Sequence, residues 1–132
     1  MRSGSPHSLV SWDSLGREGR AFVSGGPSLA ELQAYTGSGA KEPIRVYVGL
    51  KSAPSVTAAA DLAVQELQRT GAASRSVLCV VTTTGTGWVD PYAAAALEYL
   101  AGGDTAIVGT QFSYLPSWIS FLSERDLSLI HI

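Results

Sequence analysis

Of the 132 residues only one, Cys79, is a cysteine, and two, His7 and His131, are histidines. A lone thiol forms no internal disulfide, and with so few nitrogen donors no thiolate or imidazole metal cluster can be assembled. Asp13, Asp61, Asp90 and Asp104 fall in no calcium-loop spacing, so no metal and no cofactor is expected. Charge is sparse as well. Nine Lys and Arg against eleven Asp and Glu leave a formal net charge of −2, and without a basic stripe nothing draws the chain to a nucleic-acid backbone. No apolar run approaches the roughly 18 residues of a membrane-spanning helix, and Met1-Arg-Ser-Gly-Ser-Pro6 lacks the apolar core of a signal peptide. These residues read as soluble. What is present is 45% hydrophobic residues, enough apolar surface to offset the entropy of ordering a single domain.

Residues 1–27, rich in Gly and Ser with scattered apolar side chains, read as an irregular, extended segment. A domain begins at residue 28. Ser28 as a cap and Gly37 as a stop predict a short helix over 28–36. The β-branched alternation from Ile44 to Leu50 predicts a strand. Residues 58–70 form an amphipathic helix ended by Gly71, with Asp61, Gln65, Glu66, Gln68 and Arg69 on its exposed face. Val77-Leu-Cys-Val-Val81 has no polar break, the pattern of a strand covered on both faces and therefore central in a parallel sheet. Asp90 and Pro91 cap and open a helix over 92–100. A third strand follows over 104–112, and a helical start near Ser117. This alternation predicts an α/β protein: a partial three-layer α/β/α sandwich with a mostly parallel sheet and right-handed crossovers.

The turn Thr84-Gly-Thr-Gly-Trp88 leaves one strand and enters one helix, the place where ligands gather in open α/β sheets. Two glycines allow close backbone approach and the threonines add hydroxyls, so Thr84, Gly85, Thr86, Gly87 and Trp88 are candidate pocket residues. The same turn could equally be a connector that uses glycine only for its dihedral freedom. Gln111, Ser113 and Tyr114 fall just past the third strand, on the same expected edge. They either line the pocket or satisfy loop backbone. Trp88, Trp118 and Tyr92 are read as core packing or apolar walls, and Cys79 as a small buried hydrophobe. A dinucleotide site fails because Asp90 stands where the third glycine of G-x-G-x-x-G belongs. No Walker loop and no G-x-S-x-G elbow occurs. His7 lies in the irregular segment as a surface residue. No catalytic nucleophile, acid or histidine can be named.

Several blocks in one order carry a resemblance: Gly16-Arg-Glu-Gly-Arg-Ala-Phe-Val23, Glu42-Pro-Ile-Arg-Val-Tyr-Val-Gly-Leu50, Thr84-Gly-Thr-Gly-Trp-Val-Asp-Pro91, Ala96-Leu-Glu-Tyr-Leu100, Gly103-Asp-Thr-Ala-Ile-Val108 and Gln111-Phe-Ser-Tyr-Leu-Pro-Ser-Trp118. From about Ser8 to Asp126 the chain resembles the α/β-hydrolase family of actinobacterial membrane proteins. That resemblance implies a membrane-spanning N-terminal region absent here, followed by a soluble serine hydrolase domain cleaving an ester or similar acyl bond of a small molecule. It makes residues 77–83 the third strand of such a sheet, Thr84–Trp88 its oxyanion loop and residues 105–110 its fourth strand. The triad would lie beyond Asp126.

Leu127-Ser-Leu-Ile-His-Ile132 resembles a translated sequencing-library adaptor, which removes His131 from catalytic arguments and makes 28–126 the first part of a hydrolase domain. Such a fragment, without its C-terminal half, is expected to be inactive alone. The sheet order of the family would leave residues 77–81 as a bare apolar edge prone to pairing with another chain. The competing reading is a noncatalytic α/β module holding a small anion near Thr84–Trp88 and Gln111–Tyr114.

Overall fold

The computed structural model describes residues 2–84 and 86–111. Three strands, β1 (Ile44–Val48), β2 (Val77–Thr82) and β3 (Thr105–Thr110), form a parallel sheet in the order β1-β3-β2. Four helices accompany it: α1 (Gly16–Ser24), α2 (Leu29–Thr36), α3 (Val56–Thr70) and α4 (Pro91–Leu100). Registers Arg45↔Ile107 and Cys79↔Ile107 put Arg45, Tyr47, Ile107, Cys79 and Val81 on one face. α1 and α4 pack there, through Phe22 against Tyr47 and Glu98 against Arg45. α3, which packs on β1 and β3, covers the opposite face of Ile44, Val46, Ala106 and Val108. Right-handed crossovers require this: the β1-to-β2 and β2-to-β3 connections run in opposite directions across the sheet, so their helices fall on opposite faces. The result is a three-layer α/β/α arrangement.

Local chemistry sets the helix ends where the sequence predicts them. Ser28 Oγ accepts from Glu31 N at 3.1 Å while Glu31 Oε1 accepts from Ser28 N at 3.2 Å, a complete capping box. Asp90 caps α4 with Pro91 at its first position, and Gly71 ends α3 in a left-handed conformation.

Three expectations are corrected. The unbroken run in β2 is not central: β3 lies between the others, and β2 stands at the edge of the described sheet with Leu78 54% and Val80 76% exposed. Apolar character on both sides of a strand says that both faces avoid water in an assembled fold, but not how many strands flank it. Among the described residues, β3 lying beside β2 agrees with the sheet order implied by the family resemblance.

The second correction concerns residues 1–27, which are less irregular than their composition suggests. They contain α1 and a short 3₁₀ turn (Trp12–Ser14), and Ser3 N donates to Arg45 O at 3.0 Å beside β1. The third is Glu66, expected on the exposed face of α3 but fully buried. Its carboxylate accepts from Ser3 Oγ (2.8 Å), Ser8 Oγ (2.9 Å), Leu9 N (2.8 Å) and Arg69 Nε (2.7 Å). Glu66 is three residues after buried Ala63 and four before buried Thr70, so helical spacing puts it on the inner face of α3. Its polarity argued for the exposed face, and the partners that let it be buried come from the N-terminal segment, which no pattern within α3 reveals.

Burial alone would push the Glu66 carboxyl up, but Arg69, the Leu9 N–H and the two serine hydroxyls outweigh it and hold the group below its ordinary range. The unfolded chain therefore takes up this proton first. Stability is present above the unfolded Glu value of about 4.3 and is lost as pH falls toward the lower native value. Urea unfolding at stepped pH is expected to show this decline, and Glu66→Gln to be weaker at neutral pH with a shallower acid limb. An acid limb as steep as wild type in Glu66→Gln would contradict the assignment.

Candidate functional site

β2 and β3 end side by side, and the chain turns at Thr84–Gly87 before reaching α4. Gly87 N donates to Thr84 O at 2.8 Å, Thr84 N to Trp88 O at 3.2 Å, and Trp88 N to Thr84 Oγ1 at 3.2 Å. The Thr84 and Thr86 hydroxyls lie 3.2 Å apart. Thr84 thus closes the turn on itself through its carbonyl, its N–H and its side chain.

Two side chains from the sheet hold the turn from beneath. Tyr47 Oη donates to Gly87 O at 2.8 Å, and Gln111 Nε2 donates to Thr86 O at 3.0 Å. Gln111 is placed by its own N–H on Val48 O at 2.9 Å, just past the end of β3. Burial first, and the nearby Glu18 carboxylate second, raise the Tyr47 phenol far above its ordinary range, so the hydroxyl remains a donor. Gly87 has φ +89°, and a Cβ there would collide with Tyr47 Oη. This glycine is required by both its backbone and its neighbour.

Beside the turn, between the edge of β2 and α4, lies a cleft of about 250 Å³. It is lined by Cys79, Val81 and Thr82 of β2, Ile107 of β3, Ala93, Ala94 and Leu97 of α4, and Thr84, Trp88, Val89 and Asp90 of the connecting segment. The lining is mostly apolar with a few polar groups, a composition suited to a hydrocarbon-bearing ligand. Asp90 Oδ1 accepts from Tyr92 N (2.9 Å) and Ala93 N (3.4 Å), so the chain's own carboxylate occupies the donors an anion would seek at the start of α4.

Of the residues singled out by sequence, Thr84, Thr86, Gly87, Trp88 and Gln111 come together here. Gly85, Ser113, Tyr114 and Trp118 lie outside the described residues, as does the helical start near Ser117. Trp88 is 45% and Tyr92 85% exposed, which corrects the core-packing expectation for both. Trp88 lines the cleft, and Tyr92 is not part of its lining. Cys79 is half-buried in the cleft lining, and His7 is exposed.

Tyr47 was missed. The available signal was a phenol inside a strand of aliphatics, whose hydroxyl must find a partner once buried. Arg45, buried on Glu98 in the same layer, was likewise unmarked. Among the described residues no group of His, Cys, Asp and Glu could hold a metal ion, and no helix is long and apolar enough to cross a membrane.

A family model described as alpha/beta-hydrolase family matches residues 44–130, more than half of the chain, and so extends into the adaptor-like tail. A second, described as alpha/beta-hydrolase family N-terminus, matches residues 1–27, the segment set apart by composition. The comparisons with curated proteins and with solved structures gave no match. With a parallel sheet layered between helices and a family match across β1, β2, α4 and β3, the chain belongs to the alpha/beta-hydrolase family.

Proposed function

We propose that this chain supplies the oxyanion loop and one wall of the acyl pocket of a serine hydrolase that cleaves an ester or similar acyl bond. The observation that carries the reading is the turn itself: a closed Thr84–Gly87 turn at the carboxyl end of β2, with its Thr86 and Gly87 carbonyls anchored on Gln111 and Tyr47 beside an apolar cleft. Catalysis of acyl transfer needs backbone donors whose direction is set before the negative charge develops on the carbonyl oxygen. Each such donor contributes about 3–4 kcal/mol to lowering the barrier. Anchoring the carbonyls of a turn inward orients its peptide planes; the Gly87 and Trp88 N–H groups rest on Thr84 O and Thr84 Oγ1, so in this reading the loop exchanges such internal bonds for the oxyanion when the acyl group binds.

The chemistry then runs by the usual division of labour in acyl transfer. A serine hydroxyl attacks the acyl carbon, a histidine takes its proton, and the loop stabilises the tetrahedral oxyanion until the alcohol leaves. These 132 residues contain no G-x-S-x-G elbow, so in this reading the attacking serine belongs to sequence outside them and the chain alone is inactive. In this reading the working enzyme is held at a membrane through a further N-terminal region, as the resemblance of the sequence blocks to actinobacterial membrane proteins implies. For the competing small-anion module, Asp90 removes the start of α4 as a place for the anion, since its carboxylate already accepts from Tyr92 N.

A fluorophosphonate probe tests the proposal. The 132-residue chain is expected to show no specific serine labelling, and a natural parent chain carrying the same domain to be labelled at one elbow serine. Labelling of a serine within the 132 residues, or a parent without any reactive elbow, would overturn it.

A further inference from the structure

Three segments far apart in sequence meet at the Tyr47 side chain. On one side its ring lies against α1, where a Cβ added at Gly19 would come within 2.5 Å of Tyr47 Cε1. Phe22, also on α1, packs tilted on the same ring with centroids 6.0 Å apart. At the other end the hydroxyl holds Gly87 O at 2.8 Å. A phenylalanine would fill nearly the same volume, so packing alone does not call for the hydroxyl. What the hydroxyl adds is a donor for a turn carbonyl at a buried position.

We propose that Tyr47 is a positioning residue for the Thr84–Trp88 loop and that α1 sets the loop's place through the Tyr47 ring, which makes the segment matched as the family N-terminus a working part of the site. The catalytic meaning of this coupling rests on the oxyanion reading; the coupling itself does not. The bond to Gly87 O fixes the peptide plane between Gly87 and Trp88, and so the direction of the Trp88 N–H. The ring cannot shift toward α1, because Gly19 leaves no slack there, so its hydroxyl is held at one distance from the sheet. A displacement of α1 therefore reaches the loop through one rigid aromatic ring rather than through the backbone. Two packed contacts and one hydrogen bond make a short and testable connection.

Amide hydrogen exchange in the full chain tests it, comparing wild type, Tyr47→Phe, Gly19→Ala and the double variant. Exchange at Gly87 and Trp88 is expected to be about tenfold faster in both single variants, as for loss of one hydrogen bond to a buried carbonyl, while Ile107 and Val108 in β3 stay within about twofold. The double variant is expected to be no faster than the faster single one, since both act through one ring. Should Gly19→Ala fail to fold, Phe22→Leu loosens the same ring contact without adding an atom and replaces it. Unchanged exchange at Gly87 and Trp88 in Tyr47→Phe, or equal acceleration throughout the sheet, would overturn the positioning role. Additive effects in the double variant would overturn the route through α1. None of these readings needs turnover, so a coupled loop in a protein whose parent takes no fluorophosphonate would sink the hydrolase reading alone.

Discussion

Glu98→Ala is expected to lower folding stability by about 3–5 kcal/mol, because it leaves the Arg45 guanidinium buried without its counter-charge. Both side chains of this pair are excluded from water, at 1% and 0% exposure. The geometry is bidentate, with Arg45 Nε on Glu98 Oε2 at 3.0 Å and Nη2 on Oε1 at 2.6 Å. Nη1 donates to Phe22 O at 2.7 Å, and the guanidinium carbon lies 4.8 Å from the centre of the Phe22 ring. One residue of β1 thus ties α1 and α4 to the same sheet face. A domain of this size has a total stability of about 5–15 kcal/mol, so the variant would sit near the edge of folding. The pair's net worth is a separate matter. Arg45→Met combined with Glu98→Leu removes both charges and is expected to recover most of the loss, since well-packed apolar replacements of a buried ion pair are often neutral. Urea unfolding followed by circular dichroism reads both. A loss below about 1 kcal/mol for Glu98→Ala would mean that water reaches the guanidinium in solution.

Gly87→Ala is expected to reduce kcat of a serine-bearing parent by about 10²–10³-fold with little change in KM, because a turn pushed off its anchors no longer aims the loop's donors at the oxyanion. Two causes combine at this position. A φ of +89° costs a residue with a Cβ about 1–2 kcal/mol, and that Cβ would meet Tyr47 Oη and come within 2.9 Å of Gln111 Cγ. The loop must therefore move off both of its anchors. Gly37 provides the control, since it has the same φ of +89° but nothing within 4 Å of its added Cβ. Gly37→Ala is expected to show the backbone cost in thermal unfolding and no change in kcat. Equal losses of kcat in the two variants would remove the loop from the mechanism and leave only a stability effect.

The parts of the fold that sequence made legible are those governed by neighbours along the chain. Ser28 announces the start of α2 and Gly37 its end, Asp90-Pro91 announces the start of α4, and Gly71 the end of α3. Each of these rules acts within one turn of helix, so the residues involved are always adjacent in the string. The alternation of strands with helices similarly implied a parallel sheet and its crossovers. The glycine turn was legible as a candidate, and the placement of Gln111 beside it followed from both lying at the ends of parallel strands. The family blocks added what periodicity does not contain, the strand order that leaves β2 at an edge.

What only the tertiary structure decided are the contacts made between segments that approach from different layers. Glu66 shares the inner face of α3 with Ala63 and Thr70 by its spacing, but a carboxylate there is tolerated only because Ser3, Ser8, Leu9 and Arg69 supply its partners, and three of these arrive from the N-terminal segment. Tyr47 sits in an ordinary strand, yet its hydroxyl is the support of a loop forty positions later. Local propensity depends on a residue and its few neighbours, so it is written in the order of the chain. Burial and partnership depend on which surfaces are pressed together, and that is settled only when the layers close.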